Sequence, residues 1–312
     1  MRMACGRPRS GENALQDWPM QTIRVGDNEL KYDFVTDMGT GMSSVSIAEG
    51  CNVRGDFAIP SEIDGCKVTR IGDRAFRVCR SLTSVTIPEG VTKIGVGAFT
   101  GCSSLTSVTM PEGVTSIGDW AFSGCSSLAS MAIPASVTSI ADNAFFGCDS
   151  LRGLSVSNEN QHYSSKNGFL LSKDGRTLIR GIDDDEVTTP AGVTEIGENA
   201  FSGFSSLTRV AIPEGVAKIR EGAFFECSSL TRVTISEGVS EIGEGAFYGC
   251  SSLTSVTIPA SVTSIGDWAF ICFSPVLKVY VSIGDVERVK QLFADSGNGI
   301  RGIEFIEMSS AP

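Results

Sequence analysis

Apolar residues recur along this chain in a fixed order rather than with a single period. From Leu82 the sequence reads LTSVTIPEGVTKIGVGAFTGCSS, 23 residues. Leu82, Val85 and Ile87 form one short run, and the last two alternate with polar residues as in a strand. Pro88 ends that ladder, and Glu89-Gly90 turns the corner. Val91 and Ile94, three apart, followed by the adjacent Ala98 and Phe99, predict a second, tighter arc. Leu105 and Leu128 open two further copies, and Leu151 opens one that is soon interrupted. Leu207, Leu230 and Leu253 open three more, and Val276 stands where the next leucine belongs, with Val279 and Val281 behind it.

One copy holds too few apolar side chains to order itself, whereas stacked copies share a core and a sheet. The pattern therefore predicts a β-rich solenoid. The quoted string resembles the BspA-type, or treponemal-type, leucine-rich repeat, and the resemblance covers roughly residues 55–281. It implies a curved coil of 23-residue repeats with a parallel sheet on the concave face. It also implies function: members of that family are mostly surface-exposed or secreted proteins that bind other proteins, including host matrix proteins and other bacteria. On that resemblance the chain is a non-enzymatic, adhesin-like scaffold for a protein partner, without cofactor or metal. A structural, self-associating surface component and a glycan-binding module are the rival readings.

Departures from the repeat set the organisation. FAIPSEIDGCKVTRIGDRAFRVC (57–79) is an early copy with five extra residues after Pro60, and opens a solenoid spanning 57–281. Residues 157–186 interrupt it, and GFLLSKDGRTLIR (168–180) within them reads as a hairpin about Lys173-Asp174-Gly175. The coil resumes at TTPAGVTEIGENAFSGF (188–204). An open end would expose core and unpaired strand groups, so caps are expected. Residues 22–56 predict an N-terminal β cap behind a disordered leader, 1–21. Residues 282–312 predict a C-terminal cap, with Val286, Val289, Leu292 and Phe293 on one helical face and GIEFIEM (302–308) beside it.

Composition narrows the function. The net charge is −11 and the pI about 4.7, which excludes bare nucleic acid as a partner and disfavours anionic membranes. No apolar run reaches the length of a membrane span. The first 20 residues contain no apolar signal-peptide core, so the localisation stays open while the family resemblance leans to the cell surface.

Cysteine is the first candidate chemistry. Cys79, Cys102, Cys125, Cys148, Cys227 and Cys250 occupy one repeat position, which Phe204 fills in another copy. Phenylalanine packs but neither ligates metal nor oxidises, so the ladder is expected to be buried free thiols. Stacked coils would also bring neighbouring Cα atoms within disulfide range, but with parallel side chains. The clustered spacing of a metal site is absent. His162 is the only histidine and sits in the insertion, where it completes no catalytic triad. Asp183, Asp184 and Asp185 are expected in a solvated loop, with weak calcium binding as the alternative.

Two acidic rows recur: Asp119, Asp142, Glu198, Glu221, Glu244 and Asp267 after the isoleucine-glycine pair, and Glu89, Glu112, Glu214 and Glu237 at the turn. Like charges stacked this way should face water, for solubility or for a cation or basic partner. The outward strand positions carry Ser84 and Thr86, Ser107 and Thr109, and later Arg209 and Arg232 side by side. Two adjacent guanidiniums either splay into solvent or meet an anion such as a partner's carboxylate. Trp120 and Trp268 share one position, occupied elsewhere by Gly97, Asn143, Asn199, Gly222 or Gly245. A position that accepts glycine and asparagine is a surface turn, so each tryptophan is either an interface anchor or packed on a neighbouring coil. The candidate binding residues are thus Arg209, Arg232, Trp120, Trp268, Ser84, Thr86, Ser107 and Thr109.

Overall fold

The computed structural model describes residues 20–36, 43–271, 277–298 and 302–308. Of the expected leader, 1–21, residues 1–19 lie outside the described residues, as do the coil start at Val276 and the tail from residue 309, whereas Gln21 already belongs to the first strand because it pairs with Tyr32. The chain divides into two compact units, Met1–His162 and Tyr163–Pro312, and each is a β-solenoid.

Each full coil supplies two strands, not one. The run ending in Val-x-Ile forms the longer strand, and the tighter arc contributes a two-residue strand that stacks into a second parallel ladder. In the first unit Gly55–Ala58, Leu82–Thr86 and Ser107–Thr109 pair in parallel, as do Ser130–Ile133 and Gly153–Val156. Its second ladder runs through Cys66–Ile71, Lys93–Ile94, Ser116–Ile117 and Ser139–Ile140. The antiparallel strands Gln21–Val25, Asn28–Thr36 and Ser43–Ile47 continue that ladder and cover its open end.

In the second unit the longer strands are Glu186–Thr188, Arg209–Ile212, Arg232–Ile235, Ser255–Ile258, Leu277–Ser282 and Ile303–Met308, all parallel neighbours. The expected hairpin is Phe169–Ser172 against Thr177–Arg180, with Tyr163–Lys166 as a third antiparallel strand. It feeds the short ladder of Glu195–Ile196, Lys218–Ile219, Glu241–Ile242 and Ser264–Ile265.

The cores are stacks of equivalent residues. Phe76, Phe99, Phe122 and Phe145 lie nearly parallel in the first unit, with ring centroids 5.0, 5.3 and 5.8 Å apart. Phe201, Phe224, Phe247 and Phe270 do the same in the second, at 4.8–5.1 Å. These spacings follow the strand separation of about 4.8 Å, so the rings inherit their contact from the backbone ladder. The C-terminal helix, Val286–Asp295, extends the stack. Its buried residues are Val289 and Phe293, and Phe293 stacks on Phe270 at 5.0 Å, 23 positions on as another coil would place it. Arg288 fastens the helix: it pairs with Asp285 and donates to the carbonyls of Pro259 and Val262 in the preceding coil.

The ladder cysteines are buried and stand outside any disulfide. Cys66, outside that ladder, is disulfide-bonded. The ladder thiols do more than fill space. Cys102, Cys125, Cys148, Cys227 and Cys250 each donate through Sγ, at 3.0–3.2 Å, to the carbonyl of a phenylalanine 26 residues earlier, which ties one coil to the one before. Burial pushes the Cys102 thiol up to about 12 and raises that of Cys125 further. At Phe204 the exchange is compensated. The preceding segment is the hairpin, whose buried Arg180 lays its guanidinium 4.5 Å from the centre of the Phe204 ring. A Cβ on the next residue, Gly181, would clash with the Phe201 ring, so glycine is required there.

Two expectations about acidic residues need correction. Asp183 is fully buried, with Oδ1 accepting the Ser206 N–H at 3.0 Å, so it is not part of a solvated loop. Asp184 and Asp185 are exposed, and no group of three or more metal-ligating side chains gathers among the described residues. Glu112 and Glu237 are exposed but not simply solvated. Each accepts two backbone N–H groups from the next coil, Ala135 and Ser136 or Ala260 and Ser261.

Candidate binding face

Side chains alternate along each longer strand, so every second residue points away from the core. In the second unit the parallel register lines these residues into rows. Glu186, Arg209, Arg232, Ser255, Lys278 and Glu304 are successive register partners. Thr188, Ala211, Thr234, Thr257, Tyr280 and Ile306 form the adjacent row. Beneath them Val210, Val233, Val256 and Val279 are buried and hold the strands to the core.

The two arginines stand side by side as the sequence indicates, but they differ in environment. Arg209 forms an ion pair with Glu186, across an exposed surface where both side chains remain more than half accessible. Such a pair is worth at most about 1 kcal/mol, so it orients the guanidinium more than it stabilises the fold. Arg232 and Lys278 form no ion pair among the described residues. A depression of about 200 Å³ opens on this face, lined by Glu186, Thr188, Arg209, Ala211, Arg232 and Thr234. Glu186 and Lys278 were missed from sequence. Glu186 lies at the margin of the insertion, and Lys278 belongs to the coil whose leading leucine is replaced by valine. Continuing the outward alternation past both irregularities would have found them.

In the first unit Ser84 pairs in register with Ser107 and Thr86 with Thr109, which gives a hydroxyl face. It starts from Asp56, whose carboxylate accepts the hydroxyls of Thr83 and Ser84 and is held below the usual carboxylate range by those bonds.

The tryptophans are not on either sheet face. Both sit in the turn after a short strand, Trp120 in the first unit and Trp268 in the second. Both hold a left-handed backbone, with φ of 57° and 58°, the conformation of Gly97, Gly222 and Gly245 at the equivalent place. That region disfavours bulky residues. Trp120 is 38% exposed and meets Phe146 edge-on at 5.1 Å; Trp268 is 53% exposed. Trp120 therefore combines local packing with an open face, and Trp268 is the more open of the two. His162 is exposed, and its backbone N–H is bound by Asn160. Among the described residues no helix is long and apolar enough to cross a membrane.

Residues 62–170 and 183–296 match the family model described as "BspA type Leucine rich repeat region", in six copies. A leucine-rich cell surface protein from Faecalibacterium prausnitzii has a similar structure, with 26% identity, a TM-score of 0.51 and coverage of 95% of this chain and 96% of that one. A leucine-rich repeat protein from Eubacterium ventriosum is similar at 23% identity and a TM-score of 0.55, over 85% of this chain and 79% of its own. The pneumococcal vaccine antigen PcpA is similar at 18% identity and a TM-score of 0.56, over 93% and 99%. These last two likenesses concern the fold alone. No curated protein matches the chain.

Proposed function

The chain belongs to the BspA-type leucine-rich repeat family, and from that premise we propose that it is a non-catalytic scaffold that binds a partner protein through the outward sheet face of its second unit. The observation that carries this reading is the row from Glu186 to Glu304. On a chain of net charge −11, one solvent-facing row collects Arg209, Arg232 and Lys278 beside a depression floored by small side chains. A solenoid of this family supplies a rigid frame whose outward positions are free to vary, which suits recognition rather than catalysis. The Faecalibacterium relative is described as a cell surface protein, and this supports an adhesin-like role for the present chain at a cell surface.

The test is capture with the full chain immobilised. Ala211→Trp with Thr257→Trp fills the face from the solvent side without touching the core. A protein from the native surroundings that is retained by the wild type and lost from this variant supports the reading. Capture that is indifferent to the variant sinks it. Light scattering across concentrations tests the rival, since reversible assembly abolished by the same variant would make the face a self-association surface.

A further inference from the structure

Resting on that reading, we infer that the occupant of the face is an acidic, extended peptide segment of the partner, whose carboxylates meet Arg232 and Lys278. Charge complementarity leads to it. The row offers three cations, one of which, Arg209, is already engaged by Glu186. The two that remain are register partners of the same residue, Ser255, on either side of it. With strands about 4.8 Å apart, their Cα atoms lie roughly 10 Å from each other. That spacing lets each cation meet its own carboxylate along an extended chain, with a single charge per side chain.

The neighbouring positions agree. Ser255 between the cations, with Thr234, Thr257 and Tyr280 in the adjacent row, supplies hydroxyl groups for the backbone amides of an extended segment. Glu186 and Glu304 close the row at both ends, so an acidic segment finds an attractive window of limited width and repulsion beyond it. The chain as a whole repels anions, so attraction must be local and salt-sensitive.

Fluorescence anisotropy with the full chain tests the chemistry. The probe is a labelled 12-residue peptide of alternating Glu and Ser, against Gln/Ser and Lys/Ser peptides of the same length. At low salt the acidic probe should bind saturably and at least ten-fold tighter than either control. Arg232→Gln with Lys278→Gln should weaken it at least ten-fold, whereas Lys67→Gln with Lys93→Gln, which removes the same charge from exposed positions of the first unit, should not. Equal binding of the three peptides, or no loss in the double variant, overturns the inference. The face-blocking variant separates this from the broader reading. A captured protein lost on Ala211→Trp/Thr257→Trp but retained by the double glutamine variant removes the acidic occupant and leaves the binding face standing. Retention by both removes the face itself.

Discussion

Replacing Cys125 measures what a ladder thiol contributes. Its sulfur is fully buried and lies 3.2 Å from the carbonyl oxygen of Phe99, which also accepts the Cys102 N–H at 3.1 Å. Cys125→Ala therefore leaves that carbonyl with a partner and orphans no polar group. The loss is one buried sulfur, worth about 0.8 kcal/mol if it counts as a methylene. To this are added about 0.5 kcal/mol for a one-atom cavity and a thiol hydrogen bond at the low end of about 0.5–1.5 kcal/mol. The sum is about 2 kcal/mol. Cys125→Ser keeps a donor aimed at the same oxygen and should cost about 1 kcal/mol, less than alanine. Cys125→Phe should cost about 3 kcal/mol, the upper end of the usual overpacking range, because Phe99 and Phe122 already stack at 5.3 Å and no counterpart of Arg180 receives the new ring. Urea midpoints in reductant, with unchanged m-values, give the order wild type, serine, alanine, phenylalanine. Serine less stable than alanine would refute the thiol-to-carbonyl bond. Phenylalanine as stable as wild type would refute the claim that Phe204 depends on its neighbour.

At Trp120 the left-handed backbone decides the outcome. Trp120→Gly should be more stable than Trp120→Ala by about 1 kcal/mol, since alanine keeps the Cβ penalty and both lose the Phe146 contact; the reverse order in thermal unfolding would contradict that geometry. For the C-terminal helix, hydrogen bonding to Arg288 holds the Asp285 carboxyl below its usual range. A depressed folded-state pKa stabilises above the unfolded value of about 3.9, and the contribution is lost as pH falls through the folded value. Asp285→Asn should therefore cost at most about 1 kcal/mol at pH 7, the pair being partly exposed. It should also flatten the stability curve of the second unit below about pH 4, and an acid limb parallel to the wild type's would exclude the clamp.

The repeat made the inward positions legible because each must satisfy the same core: Val85, Val108, Val233 and Val256 read as buried and are. What a period does not report is the identity of the neighbour. The two-residue second strands were hidden because Lys93-Ile94 or Ser116-Ile117 is too short to show alternation. They exist because stacking puts equivalent backbone groups opposite one another. Glu112 and Glu237 looked like surface charge. Their bonds arise only where the next coil reads Pro-Ala-Ser, whose serine returns a hydrogen bond to Val114 or Val239. The Arg209–Arg232 pair was visible as a feature of the repeat, but Glu186 was not, because its place in the register depends on how the insertion rejoins the sheet.

The contrast between faces also bears on why the charged row exists. In the first unit Ser84 and Ser107 occupy the row position that Arg209 and Arg232 hold in the second, and the strands pair in the same parallel register with the same valines beneath. Neutral hydroxyls are therefore sufficient for the coil. Placing two guanidiniums on adjacent strands, with one carboxylate, Glu186, paired to Arg209 alone, introduces a repulsion of like neighbours that the frame does not require. Lys278 repeats the choice one strand beyond Ser255, in a sequence whose overall charge is strongly negative. Packing, register and solubility account for the inward residues and the acidic turns, but none of them selects cations here. Recognition of an anion, as proposed above, would select them, and on that proposal Arg232 and Lys278 are the positions to test first.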